Sequence, residues 1–132
     1  MYAFKYFNNK QYSPLKNNYT GQVYVLTGGY SFSATTLFAA AVKGQKNVTI
    51  VGEETGGGYY GNSSGSFLSF TLPNTGITGR IPLCKFVIEP KINTIPFGRG
   101  VLPDYEIQPS IKEYLSGYDN EMEYAKLLIK KN

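Results

Sequence analysis

The chain has 132 residues, enough for one domain with a moderate core. With 42% hydrophobic and only 17% charged residues, it is not the composition of a disordered chain. The net charge of +4 comes from scattered single cations with one lysine doublet at the C-terminus. No stripe of arginine and aromatic residues accompanies them, which excludes the usual footprint of a nucleic-acid-binding module.

The first twenty residues, rich in Tyr, Asn and Lys and carrying Pro14, read as an irregular or edge-strand lead-in. The apolar run within "GQVYVLTGG" predicts a strand from about Gln22 to Thr27, buried on both faces and stopped by Gly28 and Gly29. From Ser33 to Lys43, Ala34, Leu37, Phe38, Ala41 and Val42 recur at helical spacing, with Gly44 as the stop. "NVTIVGEE" predicts a second buried strand, Val48 to Gly52. Strand, helix and strand in so short a span make a βαβ unit with parallel strands.

"TGGGYYGNSSG" then reads as a flexible glycine-rich loop. "SFLSFTLP" and "TGRIPLCKFVIEP" read as strands around the turn signal "PNTG". "KINTIPFGRGVLPDYEI" predicts a loop ending in a short extended segment, with Pro103 kept out of a central ladder. "SIKEYLSG" and "NEMEYAKLLIKK" predict two closing helices, the last capped by Asp119 or Asn120, with early acids and late lysines that suit the helix dipole. The twelve tyrosines and eight phenylalanines fit β-rich packing.

Several chemistries are narrowed by what the sequence holds. The single cysteine, Cys84, excludes an internal disulfide, and it is expected to be a buried structural thiol. There is no histidine and no zinc-ligand spacing, so no metal or cofactor is implied. "GEETGGG" lacks the Lys-Ser/Thr pair of a phosphate loop, and reads instead as a mobile loop or as a glycine rim that lets a substrate backbone approach. Glu53, Glu54, Glu89 and Asp104 lie in different segments, and no spacing pairs any two of them as acid and base. No apolar run is long enough to span a bilayer, and "MYAFKYFNNK" is not a signal peptide.

The remaining candidate is "GGYSFSATTLFAAA", residues 28 to 41. A nucleophilic serine needs an exposed hydroxyl at a sharp corner beside free backbone N–H groups, and a strand entering a helix N-terminus offers both. A serine in the same place can equally be an N-cap on a closely packed helix. Spacing alone leaves both readings open for Ser31 and Ser33.

The ordered set of motifs resolves that choice by resemblance. "VYVLTGGYSFSATTLFAAAVKGQKNVTIVGEETGGG" followed by "GRGVLPDYEIQPS" resembles the tail-specific, or carboxy-terminal processing, serine peptidases. This is serine peptidase family forty-one, which includes tricorn-like enzymes, and the match runs from about Gly21 to Pro109. The resemblance implies an α/β fold like that of the ClpP and crotonase superfamily. It implies Ser33 as nucleophile, the N–H of Ala34 as an oxyanion donor, and Gly57 and Gly58 as substrate or oxyanion neighbours, with Ser31 structural. It also implies a peptide or unfolded-protein substrate and a cell-envelope or secreted location.

Two departures bear on the base. The lysine that many members carry after the glycine-rich segment aligns with Gly58. The tricorn-like branch uses an earlier histidine and a late glutamate, and this chain has Phe97 or Gly98 in place of that glutamate. The upstream D-L-R-x-N-x-G-G element that supplies another oxyanion donor has no match here. The expectation is therefore a single domain over residues 1–132 that is the C-terminal portion of a larger catalytic domain, completed by its upstream part. A non-catalytic peptide-binding homologue and a crotonase-like acyl-CoA enzyme are the alternatives.

Overall fold

The computed structural model describes residues 15–63, 65–88 and 94–131. Most of the expected lead-in, with Pro14, lies outside the described residues, as do Glu89 and residues 90–93 at the start of the long loop. The apolar run gives strand β1 (Val23–Thr27), the small-residue segment gives helix α1 (Ala34–Val42), and the β-branched run gives β2 (Val48–Gly52). β1 and β2 pair in parallel, from Val23 opposite Val48 to Thr27 opposite Gly52. The expected βαβ unit is thus present. Ala39 and Ala40 of α1 have little side chain to hold the helix off the sheet, and both are buried in one cluster with Ile50, Tyr59, Ile95 and Val101.

The next strands are shorter than expected. β3 (Gly61–Asn62) lies inside the glycine-rich loop, followed by β4 (Phe67–Thr71), β5 (Thr78–Pro82) and β6 (Phe86–Val87). β4 and β5 form an antiparallel hairpin whose turn uses Gly76 at a φ of 70°. The single predicted strand through "TGRIPLCKFVIEP" is broken in two. The hairpin ladder ends at the Leu83 N–H, which donates to the Ser66 carbonyl at 2.9 Å, and β6 pairs with β3 instead of with the hairpin. Cys84 falls in the gap between them and is half-buried rather than buried.

The chain then returns to the first sheet as β7 (Tyr105–Glu106), parallel to β2, which makes the order β1-β2-β7. In that order β1 is an edge strand among the described residues. It is only half-buried apart from Thr27, and the expectation of burial on both faces fails for that reason. The central β2 is fully buried from Ile50 to Gly52. Two helices close the chain, α2 (Ile111–Ser116) and α3 (Asn120–Lys131). Ser110 and Glu113 form a reciprocal capping box on α2, and Gly117 ends it in a left-handed conformation. The Asp119 carboxylate accepts the Met122 N–H at 2.8 Å, so Asp119 is the cap of α3. α3 packs across β1 and β2, with Ala125 buried.

One ion pair joins these parts. Lys43, just past the end of α1, donates to Asp104 Oδ1 at 2.8 Å, and the Lys43 side chain is only 9% exposed. The other oxygen, Oδ2, accepts the Ile50 N–H at 2.8 Å, while the Asp104 N–H donates to the Ile50 carbonyl at 2.8 Å. Asp104 therefore fastens helix, central strand and the approach to β7 at one point. Asp104→Ala would strand a nearly buried ammonium and a buried N–H of the central strand. Since the carboxylate itself is partly exposed, the expected loss is about 2 kcal/mol, below the roughly 3–5 kcal/mol of a fully buried pair. Urea titration of this variant against Asp104→Asn, which keeps an acceptor for Ile50, measures it.

Candidate active site

Between β1 and α1 the chain turns through residues 28–33. Ser31 braces this turn: its N–H donates to the Gly28 carbonyl at 2.8 Å, and its Oγ accepts the Gly28 N–H at 3.1 Å. The Gly29 N–H donates to Glu53 Oε2 at 3.2 Å, which ties the turn to the end of β2. Ser31 is spent on structure.

Ser33 is different. Its backbone lies at φ 50° and ψ −120°, and among the described residues it is the one non-glycine with positive φ. That combination is the mirror image of an extended conformation, open to glycine and costly to any residue with a Cβ. Ser33 stands at the N-cap position of α1, yet its side chain makes no capping hydrogen bond. Its hydroxyl has no partner among the described residues, and the residue is exposed. The cap reading requires that missing bond. Ala34, which opens the helix, has no acceptor for its N–H among the described residues, as expected for a first-turn donor. The corner thus presents a strained serine with an uncommitted hydroxyl beside an uncommitted amide.

The glycine-rich segment lies directly against this corner. A Cβ at Gly56 would collide with the Gly29 carbonyl and the Phe32 ring, and one at Gly57 with the Thr36 hydroxyl. The Gly57 N–H donates to the Ser31 carbonyl at 3.0 Å, so Gly57 supplies closeness rather than a free donor. Gly58 bridges Gly100 in antiparallel fashion, and a Cβ there would stand 2.9 Å from the Gly61 carbonyl. The position that the family resemblance assigns to a lysine is thus built around the lack of a side chain. Tyr30, at the tip of the turn, joins Glu53, Pro109, Tyr114 and Tyr118 in lining an open cleft.

The acids have structural partners. Arg99 Nε donates to Glu54 Oε1 and Oε2 at 2.9 and 3.0 Å, its Nη2 donates to Oε2 at 2.5 Å, and the Gly100 N–H donates to Oε1 at 2.6 Å. The hydrogen bond from Arg99 holds the Glu54 carboxyl below its ordinary pKa, against the opposing pull of partial burial. Next door, Thr55 Oγ1 accepts the Val101 N–H at 2.8 Å and donates to the Gly57 carbonyl at 2.9 Å. The segments "GEETGGG" and "GRGV" are therefore locked together. No local spacing in the sequence gives Glu54 its Arg99 partner or Asp104 its Lys43 partner, which lie 45 and 61 residues away along the chain. Glu89 lies outside the described residues. Among the described residues no group of three or more His, Cys, Asp and Glu side chains is placed to hold a metal.

Comparison with known proteins follows the same outline. A family model described as peptidase family S41 matches residues 2–107. The crystal structure of a candidate peptidase from Parabacteroides merdae superposes with a TM-score of 0.55 at 30% sequence identity. The match covers 81% of this chain and 31% of that one, so the chain spans about a third of that structure's length. No curated protein matches the chain.

Two outcomes are expected from this geometry. Because the Ser33 backbone is strained and its hydroxyl caps nothing, Ser33→Gly should raise stability by about 1 kcal/mol, read as a higher melting temperature. A Ser33 that caps the helix would instead give a loss. The second outcome concerns acid. Glu54 has a depressed folded-state pKa, so its contribution to stability is complete above the usual carboxylate value of about 4.3 and is lost as pH falls through the depressed value. In Glu54→Gln that part of the acid destabilisation disappears, which flattens the melting temperature below pH 5 relative to wild type.

Proposed function

This chain belongs to peptidase family S41, and from that premise we propose that it carries the nucleophile of a serine endopeptidase of the tail-specific type, on a fold like that of ClpP and the crotonases. Ser33 attacks the scissile carbonyl with its Oγ, giving up its proton to a base. The carbonyl oxygen becomes an oxyanion held by the Ala34 N–H. As that intermediate collapses, the base returns the proton to the leaving nitrogen, the C–N bond breaks to release the amine, and the acyl-enzyme that remains is hydrolysed by water to regenerate Ser33. The observation that carries this reading is the Ser33 backbone, strained at φ 50° and ψ −120° with its hydroxyl uncommitted. Strain of this kind persists only where surrounding contacts hold it, and such residues concentrate at active sites.

The base and a second oxyanion donor come from outside the described residues, since none of these has a side chain hydrogen-bonded to the Ser33 hydroxyl. In the proposed enzyme an upstream part of the same catalytic domain supplies them. The substrate is an unfolded protein or peptide, laid extended along the corner where Gly56 and Gly57 leave the backbone close to α1. A cell-envelope or secreted site of action accompanies this reading by family analogy. No helix among the described residues is long and apolar enough to cross a membrane.

One observation favours a second reading, a peptide-binding homologue without catalysis. Gly58 occupies the lysine position and is packed as a glycine. The two readings part in one experiment. In the longest form that its gene encodes, the protein should cleave an unfolded protein, and Ser33→Ala should abolish cleavage without lowering the melting temperature. Ser31→Ala, which loses the brace on Gly28, should melt earlier and retain part of its turnover. Peptide binding without cleavage in the unaltered protein, or cleavage that survives Ser33→Ala, would remove the peptidase reading. The 132-residue chain alone should be nearly inactive, because loss of one oxyanion donor already costs on the order of a hundred- to a thousandfold.

A further inference from the structure

We propose that Thr36 is the positioning residue that keeps Ser33 in its reactive conformation and out of the helix-capping one, an inference that rests on Ser33 being the nucleophile. Thr36 sits in the first turn of α1 and is 1% exposed. A buried threonine in a helix ordinarily turns its hydroxyl to the carbonyl three or four residues back. Here Oγ1 donates at 2.8 Å to the Ser31 carbonyl, five residues back and outside the helix. That carbonyl also accepts the Gly57 N–H at 3.0 Å. Two donors thus fix the peptide group that precedes Phe32, one residue short of the strained serine. Thr36 also touches Gly57 so closely that no Cβ fits there. One side chain therefore sets both the corner and the distance of the glycine wall from it.

The competing conformation is identifiable. If the Ser31 carbonyl were released, the turn could rotate and Ser33 could take the extended φ and ψ of an ordinary N-cap. Its Oγ would then accept the N–H of Thr35 or Thr36. The helix would gain a cap and lose the strain, and the hydroxyl would be turned away from an incoming carbonyl. Thr36 opposes that exchange by holding the carbonyl on which it hinges.

Thr36→Val removes the donor and keeps the branched shape, while Thr36→Ser keeps the donor and loses one methyl. In the 132-residue chain, the three-bond amide coupling and Cβ shift of Ser33 report its φ. Thr36→Val should move both to values of a negative φ, and Thr36→Ser should leave them as in wild type. In the longest encoded form, Thr36→Val should lower kcat by ten- to a hundredfold with KM nearly unchanged, since displacement of a reacting group by about 1 Å costs on the order of a hundredfold. Thr36→Ser should recover most of it. Thr36→Ala gives the same test if valine crowds Gly57 too far for folding. An unchanged Ser33 coupling and kcat in Thr36→Val, or failure of both Thr36→Val and Thr36→Ala to fold, overturns the proposal, the latter because it would make Thr36 a core residue only. Failure of the nucleophile reading looks different: Ser33→Ala would still cleave, whatever Thr36 does.

Discussion

A non-glycine backbone at φ 50° and ψ −120° does not stay there by itself, and much of this domain bears on holding one such residue, Ser33. The cost of that conformation is of order 1–3 kcal/mol, a sizeable share of the stability of a small domain. The hold is made in stages. The Ser31 carbonyl is pinned from the helix side by Thr36 and from the loop side by Gly57. Gly57 is in turn fixed by Thr55, and Thr55 by the Val101 N–H. Arg99 and Gly100 clasp Glu54 beside it. Further along, Asp104 binds the same returning segment to Ile50 and Lys43. The Thr55–Gly57 stage is local, whereas the Glu54, Thr55 and Asp104 contacts join parts of the chain that are distant in sequence.

Electrostatics here serve geometry. The net charge of +4 comes from cations scattered along the sequence, and the Glu54 and Asp104 carboxylates carry structural hydrogen bonds. Glu53 is the third, and its Oε2 accepts the Gly29 N–H of the turn. Where a carboxylate accepts backbone N–H groups it fixes the loop. The glycines complete the same design. Gly56, Gly57 and Gly100 let backbone meet backbone at distances that a Cβ would forbid. The glycine-rich loop was expected to be mobile; its first half is instead clamped from both sides, and the short β3 fixes part of the rest.

What the sequence made legible was whatever depends on periodicity and local chemistry. The βαβ unit is legible as two apolar runs around a helical segment, with strand limits within one residue of those expected. The helix, however, buries Thr36, Ala39 and Ala40 and leaves Ala34, Phe38 and Ala41 of the expected apolar set exposed. Asp119 as cap, and Gly117 as a stop, follow from local rules, and so does the Ser110–Glu113 capping box, a legible S-x-x-E signal that went unread. Burial of β1 was misjudged because an apolar run does not reveal whether a strand lies at an edge. The long strand expected through Cys84 is broken because its second half pairs with β3, a partner outside the hairpin that no local pattern reveals. The locks between Lys43 and Asp104 and between Glu54 and Arg99 span 61 and 45 residues, beyond any local pattern. The torsion angles of Ser33 have no sequence signature at all. Only the order of motifs pointed to that serine.

Membership of a peptidase family does not decide whether Ser33 works as a nucleophile, because one fold can serve catalysis or binding. The energetics of the corner bear on the question more directly. A binding module gains nothing from an exposed serine held against its torsional preference, and the ordinary N-cap conformation would relieve the strain and add a hydrogen bond. Both gains are forgone here, and a buried hydroxyl is committed five residues back to keep them forgone. The lack of a side chain at Gly58 weighs on the other side, yet it concerns which group takes the proton and not whether the hydroxyl is presented. Presentation and proton transfer are separable requirements, and the geometry of this corner bears on the first alone.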